Sequence, residues 1–242
     1  MLKKDLIIRN PLQAIGRDSQ DILKDGQFGA VLARAGVGKT AFLVQLALNG
    51  LLRELNVLHI SLDDPVRKVV LWYEEVLRRI AQEYHTDSVD ALLEGVLPHR
   101  FIMTFRAEGF SVPKLKERLT DLTAQGVFRP RMVLIDGLEF DARVRDCLNP
   151  LKTLAEQQGF HVWFAVRTHR HIEPDVDGMP APLVGVADLF DVVLELQPKA
   201  EQIRIKALKG TTGNDKDRTD LSLDPATMLI RSDSETHWVT RS

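Results

Sequence analysis

An α/β domain with a mostly parallel central sheet, helices on both faces and a C-terminal antiparallel β extension is the fold this sequence predicts. Three observations carry the expectation. Short, nearly continuous apolar segments recur up to about residue 166, as in strands buried on both faces. Segments of helical length separate them, which is the pattern of parallel βαβ units. Beyond about residue 190, strand-like segments are separated by turns without a helix-length insert, which reads as an antiparallel extension of the same sheet.

Residues 1–26 read as an irregular lead-in ending at the turn Lys24, Asp25, Gly26, and residues 27–242 as one domain. Residues 27–33 form an apolar strand and residues 39–54 a helix. The next strand spans 56–62, and Pro65 then opens a helix to about Tyr84, proline being favourable at a helix start. Residues 100–105 are a third strand. Ser111 is placed to cap the helix that follows. Residues 131–136 make a fourth strand, 144–158 a helix and 161–166 a fifth strand. The segments 191–196, 202–208, 220–223 and 228–231 complete the extension. Trp72 and Tyr73 read as core or interface side chains, and Trp238 lies in a polar tail.

Composition narrows the function classes. An apolar share of 44% in 242 residues suffices for a sizeable core. The net charge of −2 gives no general polyanion-binding character, so any nucleic-acid contact would need a local basic patch. A single cysteine, Cys147, excludes an internal disulfide and a cysteine-based zinc site, and suits a reducing, cytoplasmic setting. The N-terminal apolar run of three residues is too short for a signal peptide, and no segment nears the roughly 20 apolar residues of a membrane helix.

The chemistry centres on Ala33, Arg34, Ala35, Gly36, Val37, Gly38, Lys39 and Thr40, with Ala41 following. They match the phosphate-binding loop G-x-x-x-x-G-K-[ST], with Ala33 in place of the first glycine. Glycines at 36 and 38 let the backbone wrap a phosphate chain without Cβ clashes. The amides of the loop and helix start then face the anion. Lys39 can reach the outer phosphates and Thr40 can hold Mg²⁺. A strand before the motif and a helix after it supply the required context.

Asp136 ends an apolar strand, where a P-loop protein holds Mg²⁺ directly or through water. Gly137 follows it, so a water-orienting base must come from elsewhere. Asp63 and Asp64 end the strand after the loop helix, on the same carboxyl edge. Asp63 is read as the catalytic carboxylate and Asp64 as a helix cap. The basic segment Arg167, Thr168, His169, Arg170, His171 ends the fifth strand, and metal binding by His169 and His171 is disfavoured because no other ligands accompany them.

The segment 33–65 resembles the RecA-like ATPases, particularly the KaiC and DnaB-helicase branch, in its loop, helix and acid-terminated strand. The resemblance implies a RecA-like P-loop fold, ATP and Mg²⁺ as ligands, and a homo-oligomer. It implies a γ-phosphate-sensing role for Thr168 or Arg167. It also implies a basic finger directed to a neighbouring subunit's nucleotide, for which Lys209 matches better than Lys206. The family's catalytic acid is usually glutamate and its finger often arginine, so Asp63 and Lys209 are departures.

The leading expectation is therefore an Mg²⁺-dependent ATPase that couples nucleotide state to assembly or to a protein partner. A weakly hydrolysing switch or scaffold and a DNA-dependent recombination or replication ATPase are the alternatives. No Asn-Lys-x-Asp signal favours GTP, since Asn214, Asp215, Lys216, Asp217 stand in the wrong order. The β-rich C-terminal part does not suit the helical lid of a small-molecule kinase.

Overall fold

The computed structural model describes residues 22–85, 89–168, 178–210 and 221–232. The sequence readings at His169, Arg170, His171, Asn214–Asp217 and Trp238, and most of the 1–26 lead-in, lie outside these residues. Nine strands form one sheet in the order β3-β2-β4-β5-β1-β6-β7-β8-β9. They are β1 (Phe28–Ala33), β2 (Val57–Ser61), β3 (Arg100–Thr104), β4 (Met132–Asp136), β5 (His161–Arg167), β6 (Val192–Lys199), β7 (Gln202–Lys209), β8 (Leu221–Leu223) and β9 (Ile230–Ser232). The helices are α1 (Lys39–Leu52), α2 (Val66–Glu83), α3 (Val89–Val96), α4 (Val112–Ala124), α5 (Val144–Gln158) and the single turn α6 (Ala181–Val184).

Strand alternation feeds two cores. Phe28, Ala30 and Leu32 of β1 pack with Leu115 and Leu119 of α4 and Leu148 and Leu151 of α5. Val31 and Ala33 face the other way, toward Phe42, Leu43 and Leu46 of α1 and Val69, Tyr73 and Val76 of α2. Successive strand side chains point to opposite faces, so a fully buried strand stays apolar throughout, and β1 is buried at every position. Helices therefore cover both faces, as the sequence predicts.

One strand runs differently from expectation. The sequence predicts β6 as part of the antiparallel extension, but β6 lies parallel to β1, with Gly29 opposite Val192 and Leu32 opposite Glu195. The cause sits at the start of the strand. The Asp191 carboxylate accepts hydrogen bonds from the Phe28 amide at 3.0 Å and from Lys152 at 2.9 Å, and the Asp191 amide donates to Phe28 O. These bonds seat the beginning of β6 beside the beginning of β1, so the two strands run the same way. The antiparallel pairings begin with β6–β7 and continue through β7–β8 and β8–β9.

Other boundaries shift modestly. Helix α1 stops at Leu52 because the chain turns at Glu54, whose φ is 64°. Helix α3 is an element that the sequence reading does not anticipate. Ser111 occupies the N-cap position of α4, without a side-chain cap bond. Met228 belongs to the turn before β9 rather than to the strand. Tyr73 is buried, with its hydroxyl 3.1 Å from His59 Nδ1. Burial, reinforced by the Arg100 charge, drives His59 down to about 4, so the imidazole is neutral at pH 7. No described helix is long and apolar enough to cross a membrane.

Candidate nucleotide site

The loop between β1 and α1 projects from the carboxyl edge of the parallel strands, the position where open α/β sheets bind ligands. Arg34, Ala35 and Gly36 are exposed, Val37 to Thr40 are half-buried and Ala41 is buried. Gly38 forms the left-handed corner at the helix start, with φ 103°, a conformation that L side chains rarely adopt. Lys39 folds over the loop and donates to Ala33 O at 2.9 Å and Arg34 O at 3.0 Å. Burial is the main influence lowering the affinity of this amine for its proton. The Asp136 carboxylate opposes that effect and the Arg167 guanidinium adds to it.

Strand β5 lies between β1 and β4, so Asp136 is one strand removed from the loop strand. Even so, the Thr40 hydroxyl donates to Asp136 Oδ2 at 2.7 Å. The two residues assigned to Mg²⁺ from sequence, 96 positions apart, are thus in contact. Burial pushes the Asp136 carboxyl up, the Thr40 bond and Lys39 pull it down, and Asp63 and Asp64 raise it further. A hydroxyl and a carboxylate are hard oxygen donors, which suit Mg²⁺ completed by phosphate oxygens and water. Among the described residues, no group of three or more His, Cys, Asp or Glu gathers as metal ligands.

Asp63 reaches the same edge from β2. Ser61 pairs with Asp136 across the β2–β4 ladder, and Leu62 N donates to Asp136 O at 2.9 Å. The Asp63 carboxylate packs on Gly137: its Cγ lies 2.8 Å from where a Cβ on Gly137 would sit. Gly137, at φ 91°, keeps room for that carboxylate beside Asp136. Sequence reasoning did not register this role for Gly137.

The capping role expected of Asp64 is not what the structure shows. Pro65 is the N-cap of α2, with no side-chain cap bond, and Asp64 instead pairs with Lys68 at 2.8 Å. The reason is local. The Asp64 amide donates to Ser61 Oγ, and Lys68, four residues on along the first turn of the helix, draws the carboxylate to itself.

Thr168 follows β5 and its amide donates to Ala33 O at 3.0 Å, which ties this corner to the loop. Arg167, exposed, stands opposite Ala33 in the β1–β5 register. Lys209 lies elsewhere. It pairs with Val193 near the start of β6, and Gly210 packs on the Asp191 backbone, at the amino edge of the parallel strands. Its ammonium donates to Ala187 O at 2.9 Å. Within one chain, Lys209 does not belong to the phosphate site. Cys147 is half-buried and burial raises its thiol pKa, in keeping with a structural role.

Among solved structures, the chain is similar to the ATPase domain of a DnaB-like helicase, with a TM-score of 0.59 and 17% identity over 79% of each chain. The fold is RecA-like. The match spans the parallel sheet with its helices and antiparallel end, and at this identity it speaks to the architecture. No family model and no curated protein matches the sequence.

Proposed function

We propose that this RecA-like domain is a cytoplasmic Mg²⁺-dependent ATPase of the KaiC and DnaB type, coupling nucleotide state to homo-oligomer assembly or to a protein partner. The observation that carries the reading is the convergence of Lys39, Thr40 and Asp136 at the carboxyl edge, with Asp63 beside them. Lys39 exchanges its two loop carbonyls for phosphate oxygens. Amides of residues 36–41 face the phosphates. Thr40 and Asp136 hold Mg²⁺, which neutralises charge developing on the transferred phosphoryl group. Asp63 orients the attacking water, and Thr168 stands where the terminal phosphate would lie. Lys209, at the opposite edge, could reach a nucleotide only in a neighbouring copy.

Calorimetric titration of the chain with Mg²⁺·ATP, paired with a phosphate-release assay, tests the reading. Binding that requires Mg²⁺ is the expected result, and no heat from folded protein overturns it. Light scattering with and without Mg²⁺·ATP reads the assembly step.

Asp136→Asn separates stability from function. At neutral pH, the neutral amide escapes the desolvation that burial imposes on the carboxylate, while its oxygen still accepts from Thr40. The nucleotide-free variant should melt about 2–4 °C higher than the parent, on the order of 1 kcal/mol. The folded chain holds the Asp136 proton more tightly than the unfolded chain does. The parent's penalty therefore grows as pH rises above the ordinary carboxylate value, and the advantage vanishes in acid below it. Mg²⁺-dependent ATP binding should fall at least tenfold by the same calorimetry, an order-of-magnitude figure for one lost anionic ligand.

A weakly hydrolysing switch is the second reading. It is favoured by the short reach of Asp63, whose carboxylate rests on the Gly137 backbone.

A further inference from the structure

The two flanks of the phosphate loop differ in chemistry. On one side lie β5, β4 and β2, carrying Asp136 and Asp63. On the other lie β6 to β9, whose last turn, residues 224–229, closes over the loop. Leu223 Cδ2 and Met228 Sδ lie 2.7 and 3.2 Å from where a Cβ on Gly38 would sit. Met228 and Val37 are both half-buried apolar side chains packed on the core below. They leave an apolar surface beside the loop, on the side away from the carboxylates.

The turn is held in a costly conformation. Met228 has φ 56°, a left-handed backbone that a non-glycine residue adopts only when its surroundings enforce it. Gln45 of α1, itself buried, supplies the enforcement. Its amide nitrogen donates to Met228 O at 2.8 Å and its oxygen accepts from Ile230 N at 2.8 Å. Arg79 of α2 donates to Thr227 O at 2.6 Å. Within the turn, the Asp224 carboxylate accepts from Ala226 N at 2.8 Å. Strain maintained by so many bonds points from an observed outlier toward a role.

A triphosphate whose terminal phosphate meets the carboxylate flank must extend its nucleoside end toward the other flank. We propose that the β8–β9 turn is the wall for that nucleoside end, with Met228 and Val37 meeting the face of the base. This rests on the phosphate-site reading above. The thioether is polarizable and suits contact with an aromatic ring, so the wall recognises the base by its face. Residues near the C-terminal end of the described chain thereby set how much a nucleoside adds to the affinity of a bare polyphosphate.

The test is titration of the full chain with Mg²⁺·ATP and with Mg²⁺·tripolyphosphate, a probe that has the phosphates and no base. The parent should bind ATP about tenfold more tightly than tripolyphosphate. Met228→Gly removes the side chain while easing the φ of 56°, so the variant should melt no lower than the parent. It should bring ATP affinity down to about that of tripolyphosphate, whose own affinity should move less than about twofold. Met228→Leu, keeping apolar volume, should restore most of the difference. The proposal is overturned if Met228→Gly keeps the parental ratio, if it loses both ligands together while folded, or if the parent binds the two probes equally. A parent that binds neither probe refutes the phosphate site itself, which is a distinguishable result.

Discussion

Lys39→Ala should weaken Mg²⁺·ATP binding by at least about a hundredfold, read by calorimetric titration. The side chain donates two short hydrogen bonds to loop carbonyls and would donate them to phosphate oxygens instead. Charge-assisted hydrogen bonds are each worth about 1.5–3 kcal/mol, so losing two accounts for the expected factor. The fold should tolerate the change. The carbonyls of Ala33 and Arg34 sit at the sheet edge, Arg34 is exposed, and removing a partly buried ammonium relieves desolvation. A melting temperature within about 2 °C of the parent is expected, since less than about 1 kcal/mol is at stake. Parental ATP affinity in this variant would take the lysine out of the site and overturn the proposed function.

Asp63→Asn should slow phosphate release by about 10²–10⁴-fold, the usual worth of a positioned general base. ATP affinity should change by less than about threefold, because asparagine matches the shape that packs against Gly137 and water orientation is not a binding contact. Rate and affinity are therefore expected to separate, and single-turnover measurement of both reads the separation. A variant as fast as the parent would refute the assignment of Asp63. A parent that binds ATP and releases essentially no phosphate would favour the switch reading.

Much of the architecture was legible because burial on both faces writes strands as apolar runs, and β1, β2, β4 and β5 are such runs. The direction of β6 was not. It depends on the Asp191 carboxylate meeting the Phe28 amide and Lys152, contacts between residues far apart in the chain that no local pattern encodes. The loop from Ala33 to Thr40 was legible because spacing alone fixes its chemistry, and its partner Asp136 because an acid ended an apolar strand. Asp64 was misread as a cap because its sequence position fits one, whereas Ser61 and Lys68 claim its amide and carboxylate. Gln45 and Met228 gave no signal, since a glutamine in a helix and a methionine in a turn are ordinary until the fold stacks them.

The pairing of β1 has a consequence for biosynthesis. It is the first strand of the sheet, yet its neighbours are β5 and β6, with Phe28 opposite Val162 and Gly29 opposite Val192. While the ribosome is still making the middle of the chain, this wholly apolar strand has no ladder partner and must be shielded by collapse or by chaperones. The nucleotide therefore cannot guide the nascent protein. Its loop gains a rigid base only once most of the polypeptide has emerged, so truncated products should be recognised as folding failures rather than as weak binders.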